Sequence, residues 1–110
     1  MLEIEHRIVQ GGMQSVGYAE LTSAVSNAGG LCILTALTQP SLQKLREEIE
    51  RCAAMTSKPF GVNITVFPTI NSPDYKAYAQ SIIDGGIKIV ETAGTPAVRA
   101  IGEMLRPHGI

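Results

Sequence analysis

Short apolar runs, each followed by an amphipathic segment, recur four times along this 110-residue chain. A short apolar run predicts a buried strand, and apolar residues spaced three and four apart predict a helix. Each repeat of roughly 25 to 30 residues is therefore one strand followed by one helix. The run at 31–34 is continuous rather than alternating, which indicates a strand covered on both faces, as in a parallel sheet. The pattern predicts an α/β fold.

The apolar runs place the four strands at residues 7–10, 31–34, 60–65 and 87–92. Helical periodicity places the four helices at about residues 18–28, 42–55, 73–84 and 96–105. The predicted N-caps of the last three helices are Ser41, Ser72 and Thr95. Glycine follows the first, third and fourth helices, where it is typical of a helix end.

The apolar stripe of each helix predicts which face it buries. The predicted stripes are Leu21, Ala24, Val25 and Ala28 in the first helix, Leu42, Leu45, Ile49 and Cys52 in the second, and Tyr75, Tyr78, Ala79 and Ile82 in the third. The charged residues of the second helix, including Glu48, are predicted to form a solvated face. Glu47 and Arg51 are spaced for an ion pair on that face.

A pair of glycines, Gly11 and Gly12, follows the first predicted strand. Paired glycines remove two Cβ atoms and allow positive φ, so that a flat ligand can lie against the peptide. The alternative is an ordinary tight turn between a strand and a helix. Asn63 is unusual for a different reason, because a polar amide within a buried strand needs partners for its hydrogen-bonding groups.

Two closures of a parallel sheet fit this chain. One is a doubly wound open sheet, and the other is part of a TIM (β/α)₈ barrel, which typically takes about 250 residues. No Gly-x-Gly-x-x-Gly follows the first strand, so the Rossmann phosphate turn is missing. This favours the barrel, of which the chain would form the first four βα units, a half-barrel.

Composition excludes several classes of partner. The net charge is −1 without a basic cluster, which indicates neither nucleic acid nor an anionic membrane surface as a partner. No run approaches the roughly 18 apolar residues of a membrane span, and the N-terminus has no signal-peptide pattern. Cys32 and Cys52 lack metal-ligand spacing, so we expect reduced, buried thiols in a cytoplasmic protein without a metal site.

Four stretches, in this order and spacing, resemble the N-terminal part of the nitronate monooxygenase family, formerly called 2-nitropropane dioxygenase. They are QGGM at 10–13, AVSNAGGL at 24–31, KPFGVN at 58–63 and ETAG at 91–94. A related branch is the FMN-dependent enoyl-acyl-carrier-protein reductases. The stretches ALTQPS at 36–41 and ETAG are closer to the nitronate monooxygenase side.

The resemblance implies that residues 1–110 are the N-terminal half of an FMN-binding TIM-barrel domain. It implies a flavoenzyme that oxidises alkyl nitronates with O₂ to a carbonyl compound and nitrite. The residues that it places at the cofactor are Gln10, Gly11, Gly12, Met13 and Asn63. The alternatives are an enoyl-acyl-carrier-protein reductase-like enzyme and a truncated half-barrel module without catalysis.

The chain also departs from the family pattern. Arg7 stands where the family commonly has proline, and Ser15 where an aromatic residue is common. The family's catalytic histidine and its phosphate-binding loops belong to the second half of the barrel, so we assign no catalytic residue here. His6 and His108 fall at positions unsuited to replace that base.

A half-barrel would also leave apolar side chains without partners. Its inner face is predicted to carry apolar strand residues, including Val62 or Ile64, and its first and last strands would have free edges. Because the resemblance assigns the catalytic histidine and the phosphate-binding loops to the second half, we expect the isolated chain to lack nitronate oxidation. We also expect it to form a homo-oligomer or to pair with a missing C-terminal half.

Overall fold

The computed structural model describes residues 2–67 and 73–110. Its four strands form one parallel sheet in the order β1-β2-β3-β4. The strands are β1 (Val9–Gln10), β2 (Leu31–Thr35), β3 (Gly61–Val66) and β4 (Val90–Gly94). The helices are α1 (Ala19–Asn27), α2 (Leu42–Met55), α3 (Tyr75–Asp84) and α4 (Val98–Leu105), with 3₁₀ turns at Ala36–Thr38 and Arg106–His108.

Consecutive helices pack against one another along one face of the sheet, and the four strands form a half-barrel, as predicted. None of the helices in the described ranges is long and apolar enough to cross a membrane. The fold class predicted from the sequence is therefore confirmed.

The two faces of the sheet differ in chemistry. Leu34, Val62 and Ile64 are fully buried and belong to one apolar core with the inner sides of α2, α3 and α4. Successive strand residues point to opposite faces, so the residues next to them, Thr35 and Asn63, lie on the inner face. The expectation that Val62 or Ile64 faces the inside is wrong, because both pack under the helices.

Helix α1 buries a face that its apolar stripe does not predict. Leu21 and Val25 are half-buried, and Ala24 and Ala28 are exposed. The buried residues are Ala19, Thr22, Ser23 and Ser26. Small side chains allow the helix to lie close to β2, and polar bonds to α2 fix its rotation. The stripe Leu21, Ala24, Val25 and Ala28 was therefore a wrong prediction.

Helix α2 confirms its predicted cap and core face, but not its ion pair. Ser41 accepts a hydrogen bond from the Lys44 N–H at 3.2 Å. Leu45, Ile49 and Cys52 are buried, and Leu42 is half-buried. Arg51 pairs with the largely buried Glu48 rather than with Glu47, because α1 supplies backbone and acidic partners on that side. Glu47 pairs with Lys44 instead.

The predicted starts of α3 and α4 are corrected. Ser72 lies outside the described residues, and the N-cap of α3 is Asp74, whose carboxylate accepts from the Ala77 N–H at 3.1 Å. Thr95 does not cap α4, because its N–H bonds the Val66 carbonyl at 3.1 Å and α4 begins only at Val98. Both cysteines are free and buried, as predicted. Burial raises the pKa of the Cys52 thiol to about 12.

Candidate functional site

A cavity of about 200 Å³ opens at the carboxyl ends of the strands. The residues around it come from the loop after β1, from β2 and the turn after it, and from β3. The lining residues are Gly12, Gln14, Thr35, Leu37, Asn63, Thr65 and Phe67. Polar groups therefore lie beside apolar ones, an arrangement typical of small-molecule sites.

Three segments meet at one carboxylate beside this cavity. Oε2 of Glu91 accepts a hydrogen bond from Nδ2 of Asn63 at 2.8 Å and another from the Gly12 N–H at 3.2 Å. Asn63 and Glu91 are register partners on β3 and β4, so the sheet itself brings them together. The carboxylate thus ties the loop after β1 to the far side of the sheet, 79 residues away along the chain.

Asn63 is held from two sides and keeps further bonding capacity. Its Oδ1 accepts from the Thr65 hydroxyl at 2.7 Å, while its Nδ2 donates to Glu91. A primary amide has two N–H donors and two acceptor lone pairs. One donor and one lone pair of Asn63 are therefore not used by these two bonds, although the residue is only 5% exposed.

The glycine pair has a different physical role from the predicted one. Neither Gly11 nor Gly12 has positive φ. A Cβ at Gly12 would lie 2.8 Å from the Cβ of Asn63, which is too close for a real side chain. A Cβ at Gly11 would lie 3.6 Å from a Glu91 oxygen, an ordinary contact. Gly12 is therefore required by close approach to Asn63, and the predicted use of positive φ is wrong.

The five sequence-predicted site residues lie on two neighbouring segments. Gly12 and Asn63 both line the cavity, whereas Gln10, Gly11 and Met13 do not. The Gln10 amide donates to the Gly11 carbonyl at 3.2 Å. Met13 is 37% exposed, with its carbonyl accepting from the Val16 and Gly17 N–H groups. The structure thus brings Gly12 and Asn63 into contact, with the other three beside them in the chain.

Sequence reasoning assigned no role to Glu91 or to Thr35. A carboxylate directly after Ile89 and Val90 in the predicted strand 87–92 was a usable signal for Glu91. Thr35 gave no signal, because a β-branched residue is ordinary in a strand. His6 and His108 are both exposed and do not line the cavity. Within residues 2–67 and 73–110, no group of three His, Cys, Asp or Glu side chains is arranged to hold a metal.

Comparisons with known proteins identify the family of this chain. The model of the family described as nitronate monooxygenase matches residues 1–106. A Mycobacterium tuberculosis protein named (3aS,4S,5R,7aS)-5-hydroxy-7a-methyl-1-oxo-octahydro-1H-indene-4-carboxyl-CoA dehydrogenase is 36% identical over 104 residues, which are 94% of this chain and 28% of that protein. A probable nitronate monooxygenase of Staphylococcus haemolyticus is 37% identical over 84 residues, 76% of this chain and 21% of the relative.

Two solved structures share the fold. FabK from Thermotoga maritima has a TM-score of 0.83 and 35% identity, covering 98% of this chain and 33% of that one. A nitroalkane oxidase from Streptomyces ansochromogenes has a TM-score of 0.79 and 25% identity, covering 97% and 39%. The chain thus spans less than a third of the length of the two relatives from Mycobacterium tuberculosis and Staphylococcus haemolyticus. With residues 1–106 matched by one family, the chain belongs to the nitronate monooxygenase family.

Proposed function

We propose that this chain forms one wall of an FMN site in an oxidoreductase that oxidises alkyl nitronates with O₂ to a carbonyl compound and nitrite. The observation that carries the proposal is the close approach of Gly12 to Asn63 beside the cavity. This contact lies at the carboxyl ends of parallel strands, where barrel enzymes build their active sites. Membership of the nitronate monooxygenase family supports the same chemistry.

The residues around the cavity fit a flavin ring. An isoalloxazine ring has apolar faces and a polar edge with donors and acceptors. Within the described residues, Asn63 retains a donor and a lone pair for such an edge, while Leu37 and Phe67 offer apolar surface. Because Gly12 has no side chain, its backbone packs directly against Asn63, so that the two can border the same ring. The site residues proposed for FMN are Gln10, Gly11, Gly12, Met13 and Asn63.

Each of these groups has a positioning task in the proposal. The peptide from Gly11 to Met13 borders the ring, and Asn63 bonds its polar edge. Glu91 fixes both partners by accepting from the Gly12 N–H and the Asn63 amide. Bound flavin supplies the ability to take electrons from the nitronate and pass them to O₂. A nitronate is already deprotonated at carbon, and we assign no catalytic base to this chain.

A second candidate is reduction of an enoyl thioester on the same scaffold. The relative from Mycobacterium tuberculosis favours a thioester substrate, because its name is that of a dehydrogenase of a CoA thioester, although a dehydrogenase oxidises its substrate. The two candidates differ in the electron acceptor and donor. Nitronate oxidation consumes O₂ and releases nitrite, whereas enoyl reduction consumes a nicotinamide cofactor. One preparation can be assayed for both products.

The test uses two proteins, the 110-residue chain and a fusion in which it replaces the matching third of the T. maritima FabK barrel. We expect the fusion to purify with the visible absorbance of oxidised flavin and to release FMN on heating. We expect nitrite from ethylnitronate with the fusion and none with the chain alone. A fusion that folds without flavin would overturn the proposal. Thioester-dependent oxidation of NADH or NADPH without nitrite release would favour the second candidate.

We also propose that the isolated chain pairs with a second copy or with the rest of a barrel. Ile8 and Val9 at the β1 edge are 64% and 54% exposed, which leaves large apolar side chains beside unpaired strand edges. Pairing would cover both features at once. Analytical ultracentrifugation of the 110-residue chain should show a dimer or larger species. A stable monomer at tens of micromolar would contradict this proposal.

A further inference from the structure

Glu91 brings a negative charge to a site whose lining groups are neutral. The residues that line the cavity are all uncharged. Glu91 lies directly beside two of them, because its Oε2 accepts from the Gly12 N–H at 3.2 Å and from Nδ2 of Asn63 at 2.8 Å. Among the described residues, no lysine, arginine or histidine forms a salt bridge with this carboxylate. Its field at the cavity is therefore screened by no partner cation in that part of the chain.

The two hydrogen bonds of Glu91 do not by themselves require a charge. Glutamine has nearly the same shape, and its amide oxygen could accept from both N–H groups. Glu91 is half-buried, and a carboxylate that loses water without gaining a counter-ion is costly to the folded chain. The charge therefore has only a partial explanation in the packing of the sheet.

The second oxygen of the carboxylate lies beside the glycine pair. Oε1 of Glu91 accepts no hydrogen bond from a described residue, since both of the bonds above go to Oε2. Gly11 has no side chain to cover it, and even a Cβ at Gly11 would come no nearer to Oε1 than 3.6 Å. The carboxylate is therefore not enclosed by the side that borders the candidate site.

A ring bound as proposed would lie within reach of this charge. The proposed function places the ring against the peptide from Gly11 to Met13 and against Asn63. Oε2 of Glu91 is 3.2 Å from the Gly12 nitrogen. Atoms in van der Waals contact are about 3.5–4 Å apart, so a ring atom that touches this nitrogen lies at most about 7 Å from the carboxylate. Two unit charges at such a distance interact appreciably near a protein surface.

We propose that the charge of Glu91 weakens the binding of the reduced flavin ring relative to the oxidised ring. This inference rests on the proposed function. The oxidised isoalloxazine ring is neutral near neutral pH, whereas the two-electron-reduced ring readily loses a proton at N1 and becomes an anion. A fixed negative charge nearby disfavours the anion and acts far less on the neutral ring. Weaker binding of the reduced form lowers the midpoint potential of the bound flavin.

The charge thereby favours one half of the proposed reaction. A lower midpoint potential favours the transfer of electrons to O₂ over their removal from the nitronate. Glu91 is thus a positioning residue for Gly12 and Asn63 that also sets how strongly the site holds electrons. Only the second of these tasks needs a charge.

The test compares the affinities of the 110-residue chain for oxidised and for reduced FMN. Each form is titrated to millimolar concentration in two-dimensional ¹H–¹⁵N NMR spectra, and the reduced form is kept under dithionite without oxygen. Both forms carry the same phosphate, so the ratio of their two dissociation constants reports on the ring. The variants measured beside the wild type are Glu91→Gln, Glu91→Asp and Glu103→Gln.

We expect the ratio of the reduced to the oxidised dissociation constant to be about threefold to tenfold larger in the wild type than in Glu91→Gln. This range corresponds to a midpoint potential about 15 to 30 mV lower in the wild type. Glu91→Asp keeps the charge but shortens the side chain, so it should weaken the binding of both forms and keep most of the ratio. Glu103→Gln removes an exposed charge of α4 and should leave the ratio unchanged.

Two results would overturn the inference. One is an equal ratio in the wild type and Glu91→Gln, whatever the change in the two affinities, because a merely structural role moves both affinities alike. The other is an equal change of the ratio in Glu91→Gln and Glu103→Gln, which would assign the effect to net charge rather than to position. A wild-type chain that binds neither form of FMN would overturn the proposed flavin site and this inference with it. That failure is seen without any variant, so the two failures are distinguishable.

Discussion

Two glutamates on opposite sides of the sheet each hold the backbone N–H of a residue near β1. On the helix side, Glu48 accepts from the Ala19 N–H at 2.7 Å. On the inner side, Glu91 accepts from the Gly12 N–H at 3.2 Å. Both bonds link segments distant in sequence, and the two carboxylates are largely buried or half-buried. Their surroundings, however, differ in charge.

Glu48 has a cation beside it. Two guanidinium nitrogens of Arg51 bond the two Glu48 oxygens at 2.8 and 3.1 Å. In the part of the chain that the structure describes, Glu91 makes no salt bridge and is balanced only by N–H dipoles. The first carboxylate is thus a neutralised clamp between helices. The second leaves a negative charge at the edge of the candidate site, where it orients two groups proposed to contact the flavin.

The largest expected effect comes from breaking the helix-side clamp. Glu48→Ala leaves the Ala19 N–H without its acceptor and Arg51 without one of its two acidic partners. We expect the free energy of unfolding to fall by on the order of 3 kcal/mol. Urea denaturation measures it, with Glu47→Ala as the matched control, because its exposed pair with Lys44 should contribute about 0.5 kcal/mol or less. Equal losses in the two variants would contradict the clamp.

The next effect concerns the two glycines, Gly11 and Gly12, on the inner side of the sheet. Gly12→Ala would force a Cβ to 2.8 Å from Asn63, and we expect a loss of about 2 kcal/mol together with weaker FMN binding. Gly11→Ala meets only an ordinary contact at 3.6 Å and should change stability by about 0.5 kcal/mol or less. Thermal unfolding of both variants separates the positions. Equal tolerance of the two alanines would disprove the close approach.

Removing the inner charge alone should have a smaller effect. Glu91→Gln keeps an acceptor for the Gly12 N–H and the Asn63 amide, but a neutral one, and charge-assisted bonds are roughly twice as strong. We expect a loss of about 1 kcal/mol in the free energy of unfolding and a clear change in the Gly12 amide chemical shift. Glu103→Gln, on the exposed Arg99 pair, is the control and should change neither. An unmoved Gly12 resonance would rule out the bond.

The smallest effect concerns pH on the helix side. Hydrogen bonds from Arg51 lower the pKa of Glu20 to about 2. A carboxyl whose pKa is lower in the folded state stabilises it above the unfolded pKa, near 4.5, and this contribution disappears as the pH falls toward 2. Wild type and Glu20→Gln should therefore differ slightly in melting temperature above pH 5, and converge between pH 4.5 and 2. Molar salt should reduce the difference, since both partners are exposed.

The strands of the sheet were predictable from the sequence because the apolar pattern of each strand depends only on its own residues. The continuous apolar run at 31–34 requires cover on both faces, and the structure buries every residue of β2. Asn63 was identifiable because it is a polar residue in the mainly apolar strand predicted at 60–65. Its partner Glu91 was not, because the bond depends on which residues of β3 and β4 face each other. The sequence of one strand does not show which residues of the neighbouring strand it pairs with.

Helix α1 shows the limit of periodicity. The stripe rule assumes that the most apolar face is the buried one, and it identified Leu45, Ile49 and Cys52 correctly in α2. In α1 the polar bond to Glu48 and the ion pair of Glu20 turn the small hydroxyl-bearing face inward. Those bonds involve residues 29 and 31 positions away along the chain. Glu48 was misassigned to solvent by the same rule.

The small buried side of α1 has a mechanical consequence. Ala19, Thr22, Ser23 and Ser26 offer no large side chain to interlock with β2, so packing resists sliding of the helix along its axis only weakly. The hydrogen bond from the Ala19 N–H to Glu48 at the first turn then limits movement of α1 along its axis. Residues 12–19 connect this bond to the bond between the Gly12 N–H and Glu91 on the inner side. Between these two ends the loop is also bonded to β2 and the following turn, through the Ser15 N–H to Thr38 Oγ1 and the Thr35 N–H to the Gly17 carbonyl. A shift of α2 would therefore be resisted along the loop before it reached the peptide beside Asn63.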